Sequence, residues 1–180
     1  EVQAYVSAAK MAIAYAAEAL GEAAHAARLR AEAAELAERF EAAFWCPEIG
    51  SYALALDGDK RQCRVLSSNA GHALLAGIAR PERAEAVAQA LLDARSFSGW
   101  GIRTVADGTA RFNPMSYHNG SIWPHDNALI ALGFARYGLS AAVGRVVAAL
   151  FDAAGTLDLS RLPELYCGFR RKAGPAPGPY

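Results

Sequence analysis

The 180 residues hold 18 Lys and Arg against 18 Asp and Glu, so the formal net charge is zero with the four His neutral. Hydrophobic residues make up 53% and charged residues 20%, the balance of a folded globular domain rather than a disordered chain. Zero net charge leaves no basic footprint for a phosphate backbone, which excludes nucleic acid as a partner and points to a neutral ligand.

The length suits one domain with a real core. Cys46, Cys63 and Cys167 are odd in number, widely spaced and without a C-x-x-C pair. Neither a disulfide framework nor a zinc knuckle is indicated, and a reducing compartment, the cytoplasm, is expected. No apolar run reaches the roughly 20 residues needed to span a bilayer, so no membrane is implied. The first residues carry neither an initiator Met nor a signal layout, so the chain is expected to begin inside a longer protein.

Val2 to Leu20 is Ala-rich, with Val2, Tyr5, Val6, Ala9, Ala12, Ile13, Ala16 and Leu20 at helical spacing and Gly21 as a stop. A second helix is predicted from Glu22 to Phe44. Leu29, Leu36, Phe40 and Phe44 mark its buried side, and Arg28, Arg30, Glu32, Glu35, Glu38, Arg39 and Glu41 its solvated one. The two form an antiparallel hairpin. Ser51 to Leu56 and the Asp57-Gly58 turn read as a β-hairpin, with Arg64, Val65 and Leu66 as its return strand.

Ser67, Ser68 and Asn69 read as an N-cap cluster ahead of a short apolar helix, Ala70 to Ile78, that carries His72. On such a face a histidine is either a hydrogen-bonded core residue or a ligand-binding one. Pro81 opens a fourth helix reaching about Ala94, with Ala84, Val87, Ala88, Leu91 and Leu92 inward. Ser96 to Val105 is a loop rich in Gly and aromatics. In it Trp100 and Arg103 either line a site or, respectively, pack and neutralise a carboxylate.

The densest collection of polar, aromatic and ionisable groups is the run RFNPMSYHNGSIWPHDNALIA over 111–131. Its Asn-Pro and Asn-Gly pairs are turn signals, and Pro124 opens an almost wholly apolar helix that must be buried on most sides. Asp126 falls in the first turn, where the helix dipole favours an acid whether or not it binds anything else. Tyr137 to Leu139 closes this fifth helix. Ser140 caps a sixth, with Val143, Val146, Val147, Leu150 and Phe151 inward. Leu162 to Phe169 is a third unusual loop whose single acid, Glu164, sits among apolar neighbours, a setting that desolvates a carboxyl. Residues 173–180 are Pro- and Gly-rich and read as a linker or a cut end.

Helix pairs joined alternately by short turns and by long chemistry-bearing loops form a helical toroid, in which every second connection lands on one rim. A complete toroid takes about a dozen helices; the six or so here make half of one. Strand–helix alternation, which would signal a doubly wound or barrel fold, is lacking.

Six runs carry a resemblance: EVQAY at 1–5, GSYALALDGDK at 50–60, SNAGH at 68–72, SGWGIRT at 98–104, NPMSYHNGSIWPHDN at 113–127 and LPELYCG at 162–168. In this order they resemble the amylo-alpha-1,6-glucosidase, or bacterial glycogen-debranching-like, glycoside hydrolases over essentially the whole chain. The resemblance implies an (α/α)6 toroid catalytic domain that cleaves α-linked glucosides or oligosaccharides with inversion. It also implies a general base at Glu164, with the aspartate general acid upstream of Glu1 and a closing helix beyond Tyr180. The remainder of the catalytic domain is then a necessary partner.

Inverting hydrolysis needs an acid and a base about 6.5–9.5 Å apart, with a water between sugar and base. Sugars are held by aromatic faces and by amide, Arg, His and carboxylate groups. Trp100, Trp123, Tyr117, Arg103, Asn119, His118 and Asp126 form such an inventory, with His125, Asn69 and His72 as further candidates. No cofactor is required, and His118, His125 and Asp126 straddle a turn and a proline rather than share a metal-binding helix face. The alternatives are a non-catalytic carbohydrate-binding helical module and a scaffold without ligand. The incomplete toroid is expected to expose apolar helix faces.

Overall fold

The computed structural model describes residues 1–171 and 176–180. Helix α1 runs Val2–Ala19 and α2 Ala23–Phe44, and Gly21, at φ +82°, turns the chain between them. Their packed seam, Ala14 and Ala17 of α1 with Ala26 and Leu29 of α2, is mostly alanine, which lets two helix backbones approach closely. The large apolar residues of α1 at helical spacing, Val2, Tyr5, Val6, Ile13 and Leu20, are exposed. Glu41, expected on the solvated side of α2, is corrected. It is 7% exposed, accepting hydrogen bonds from Tyr52 Oη at 2.9 Å and Arg83 Nε at 2.8 Å.

Two short antiparallel ladders follow. Strand β1 (Trp45–Cys46) pairs with β2 (Ser51–Tyr52), and β3 (Ala55–Leu56) pairs with β4 (Gln62–Cys63). The return strand is thus Gln62–Cys63, not Arg64 to Leu66. Asp57 closes the turn early, its Oδ1 accepting from the amides of Asp59 and Arg61 at 2.9 Å each.

Helix α3 spans Asn69–Ala76, with Ser68 at its start making no side-chain capping bond. A 3-10 turn, Pro81–Arg83, leads into α4 (Ala84–Leu92). Helices α5 (Pro124–Arg136) and α6 (Ser140–Gly155) complete the set. The main core gathers Leu74, Val87, Leu91, Ile102, Ile130, Phe134 and Val146. Helices α3 and α5 cross at two glycines. A Cβ at Gly71 would stand 2.5 Å from Ile130 Cγ1, and one at Gly133 would stand 2.8 Å from the Leu75 amide nitrogen.

On α6 the buried residues are Val146, Ala149 and Ala153. Phe151, expected inward, is 75% exposed, and with Leu132, Val147 and Leu162 it lines an apolar groove between α5 and α6. Among the described residues no helix is long and apolar enough to cross a membrane. Of the stretch read as a linker, 173–175 lie outside the described residues. Residues 176–180 fold back instead: the Cys167 amide donates to Gly178 O at 2.9 Å.

Candidate active site

The loops between helices are tied by single bridges rather than by sheets. Ser67 pairs with Val105, Arg103 with Ile122, and Ile122 with Tyr166. The last pair is reciprocal, at 2.9 and 3.0 Å, so loops 113–123 and 162–169 run side by side. Two glycines permit this approach, since a Cβ at Gly168 would collide with Gly120 O at 1.7 Å. Asn127 anchors the arrangement from α5. Its Oδ1 accepts from the Ile102 amide at 2.6 Å, while its Nδ2 donates to Ile102 O at 2.9 Å and Trp123 O at 3.0 Å. Asn127 ends the 113–127 run and is not among the site residues expected from the sequence. Its signal was an amide one turn inside a proline-started helix that is otherwise apolar.

These ties form a cavity of about 410 Å³ in which α3 and the 113–127 run meet, lined by Asn69, His72, His118, Asn119, Trp123, His125 and Asp126 together with Glu1 and Leu54. The aromatic wall is ordered. His118 stacks on Trp123 with rings 5.8 Å apart and 5° from parallel, and His125 meets the same indole edge-on at 5.6 Å. Trp123 Nε1 donates to Tyr117 O at 3.0 Å, which fixes the ring plane.

Tyr117 links this wall to Glu164. Its ring meets Trp123 edge-on at 4.7 Å, and its hydroxyl donates to Glu164 Oε1 at 2.8 Å. The hydrogen bond to Glu164 raises the Tyr117 pKa, so the phenol remains a donor. Glu164 itself is exposed, and the desolvated setting expected for it is corrected. Leu165, Tyr166, Cys167 and Gly168 are the members of its loop that turn inward, because Tyr166 pairs with Ile122 and leaves Glu164 at the rim.

His72 is buried and joined on both ring nitrogens, to Tyr5 Oη at 2.7 Å through Nδ1 and to Asp126 Oδ1 at 2.6 Å through Nε2. Asp126 therefore reaches across to α3 and makes no local cap. Tyr5 is a third member that sequence reasoning missed, since its partner lies 67 residues away.

Trp100 and Arg103 are brought elsewhere. Trp100 packs with Ile122, Ala153 and Tyr166, and the Arg171 guanidinium lies over its ring at 4.2 Å. Arg103, 1% exposed, donates to Gly168 O at 2.6 Å and Arg95 O at 3.0 Å, so its partners are carbonyls rather than a carboxylate. Burial lowers its pKa. Both residues hold the loops from behind, facing a second hollow with Phe112 and Phe169. Among the described residues no group of three or more His, Cys, Asp or Glu is placed to hold a metal ion.

The model of the mannosylglycerate hydrolase MGH1-like glycoside hydrolase domain matches residues 1–169. A comparison with curated proteins returned no match. Among solved structures, the GH63 mannosylglycerate hydrolase of Thermus thermophilus in complex with glucose is similar at 23% identity and TM-score 0.77, over 98% of this chain and 40% of that one. An uncharacterised conserved protein from the same organism gives 22% identity and TM-score 0.76, over 98% and 43%. The neutral trehalase of Saccharomyces cerevisiae gives 18% and 0.76, over 92% and 33%. The chain thus spans less than half the length of these structures, and identities this low show the fold alone. That fold is the (α/α)6 toroid expected from the motifs, in a grouping broader than the glycogen-debranching type they resembled. The chain belongs to the mannosylglycerate hydrolase MGH1-like glycoside hydrolase domain family.

Proposed function

We propose that this segment supplies the general base and part of the sugar-binding wall of an inverting glycoside hydrolase acting on α-glucosidic linkages. The observation that carries the reading is the Tyr117–Glu164 pair, whose Tyr117 ring meets Trp123 of the cavity wall. Tyr117 occupies Oε1 and leaves Oε2 for a water, which an ionised carboxylate can deprotonate as it attacks the anomeric carbon. The general acid comes from the chain upstream of Glu1. The exposed apolar residues of α1 and the α5–α6 groove take helices of the remaining toroid.

Among the described residues no Lys or Arg lines the cavity, which favours an uncharged sugar unit there. The glucose complex of the Thermus hydrolase supports a glucose unit. Small α-glucosides, oligosaccharides and glycogen-like branched glucans all present such a unit, and glycogen debranching is the finer reading that the motif resemblance favours. In the full-length protein, Glu164→Gln is expected to lower glucose release from α-glucosides by about 10²- to 10⁴-fold while glucose still binds. The first product seen by NMR should be the β-anomer. Unchanged turnover in that variant removes Glu164 from the mechanism. Binding without turnover in the unaltered protein would favour a non-catalytic carbohydrate-binding module.

A further inference from the structure

Residues 176–180 lie beyond the family match, which ends at Phe169, yet they fold against the loop that carries Glu164. Cys167, three residues after Glu164, donates its amide to Gly178 O at 2.9 Å and its thiol to Pro179 O at 3.0 Å. The approach is close, since a Cβ on Gly178 would stand 3.2 Å from Phe169 Cδ2. Pro177 is buried, and the pyrrolidine rings at 177 and 179 fix φ at both positions, so little freedom is left to the backbone that leads into Tyr180. The Tyr180 ring then meets Tyr117 at 5.6 Å, with the ring planes 63° apart.

We propose that Tyr180 is a positioning residue for Glu164, acting through Tyr117. The inference rests on reading Glu164 as the general base. Tyr117 touches three rings, His118 at 4.6 Å, Trp123 at 4.7 Å and Tyr180 at 5.6 Å. The first two belong to its own loop, one and six residues along the chain, and shift when that loop shifts. Tyr180 comes from a separate segment, and that segment is tied to the loop of Glu164. It therefore holds the phenol in register with the carboxylate to which the phenol donates, at 2.8 Å.

The need for such a restraint follows from exposure. Glu164 sits at the rim, where packing does not fix its flexible side chain, and the Tyr117 hydroxyl is what aims it. Small displacements of a group that must activate a water are costly in rate, so a contact that removes one ring motion acts on turnover rather than on sugar affinity. A purely structural role fits Tyr180 poorly. It is 61% exposed and buries little apolar surface, so the fold loses little without it.

The test compares Tyr180→Ala with the conservative Tyr180→Phe in the full-length protein. Tyr180→Ala should lower kcat for glucose release roughly two- to tenfold, the worth of one aromatic pair, with KM and melting temperature little changed. Tyr180→Phe keeps the ring and should restore the parent kcat. In a Tyr117→Phe background, which lacks the hydroxyl, Tyr180→Ala should cost nothing further, because both act through one hydrogen bond. A readout without turnover is the ¹³Cζ signal of Tyr117. Its hydrogen bond to Glu164 raises its pKa, so a loosened bond should let it titrate at lower pH in Tyr180→Ala than in Tyr180→Phe. Equal kcat in the two variants, additive losses with Tyr117→Phe, a raised KM with kcat retained, or identical Tyr117 titrations would each overturn the assignment. A parent without turnover overturns the proposed function and this inference together, whereas an active parent whose two Tyr180 variants match it loses this inference alone.

Discussion

Two acids are buried to nearly the same degree, Glu41 at 7% exposure and Asp126 at 8%, yet their surroundings differ in one respect. Glu41 lies where α2 meets β2 and the Pro81–Arg83 turn. There both oxygens are occupied, by Tyr52 and by an Arg83 guanidinium that also lies over Trp45 at 4.4 Å. Asp126 has one oxygen occupied, by His72, and one buried without a partner. A buried carboxylate whose hydrogen bonds all close within the fold is held at both oxygens, whereas one left half-closed carries an unmet acceptor that costs stability. Depth of burial alone would not have separated them.

The largest effect expected from breaking this contrast is on the Glu41 side. Glu41→Ala strands the Arg83 charge and the Tyr52 hydroxyl, and should destabilise by about 3–5 kcal/mol, read as a lower denaturant midpoint. Sugar affinity per folded molecule should not change. A midpoint shift as small as that from Asp126→Asn would erase the distinction between the two acids.

A smaller effect comes from high pH. Burial, followed by the Glu41 hydrogen bond and charge, raises the Tyr52 pKa, and burial raises that of Tyr166. An unfolded tyrosine ionises near 10, so above that pH the unfolded state releases protons that the folded state retains. Stability present below about pH 10 is then lost at up to about 1.4 kcal/mol per pH unit for each tyrosine. Tyr52→Phe should flatten the alkaline limb of a stability–pH curve, and an unchanged limb would show that Tyr52 is not coupled to the fold in this way. The smallest effect is on the Asp126 side. Asp126→Asn keeps an acceptor for His72 and replaces an oxygen that has no partner, so thermal or denaturant stability should shift by less than about 1 kcal/mol. A loss comparable to that of Glu41→Ala would make Asp126 a structural acid as well.

Much of this was legible before any coordinates. The helices followed from Ala-rich periodicity and from punctuation at Gly21, Pro81 and Pro124, since helix formation is governed by neighbours three and four residues apart; Ser140, expected as a cap, is the first residue of α6, with Leu139 at the N-cap and no side-chain capping bond. The 113–127 run stood out as chemistry, and the structure brings Trp123, His118, Asn119, His125, Asp126, Asn69 and His72 to one cavity. Less legible was which side of each helix faces inward. The α1 stripe of Val2, Val6 and Ile13 is a good amphipathic signal, but the alanine side meets α2 because close backbone approach outweighs side-chain size there. Trp100 and Arg103 have the composition of a sugar site, yet carbonyls and an inward-turned loop claim them.

From the linear order of residues alone came the local conformations, the (α/α) pairing and the kinds of side chain gathered on the rim, because each depends on contacts within a few positions. Only the tertiary structure decided that Tyr5, His72 and Asp126 form one chain, that Asn127 braces Ile102 and that Tyr117 holds Glu164. These pairings span 67, 54, 25 and 47 residues, and no periodicity reaches that far. They depend on glycines at 71, 120, 133 and 168 that let backbones approach to distances a single Cβ would forbid.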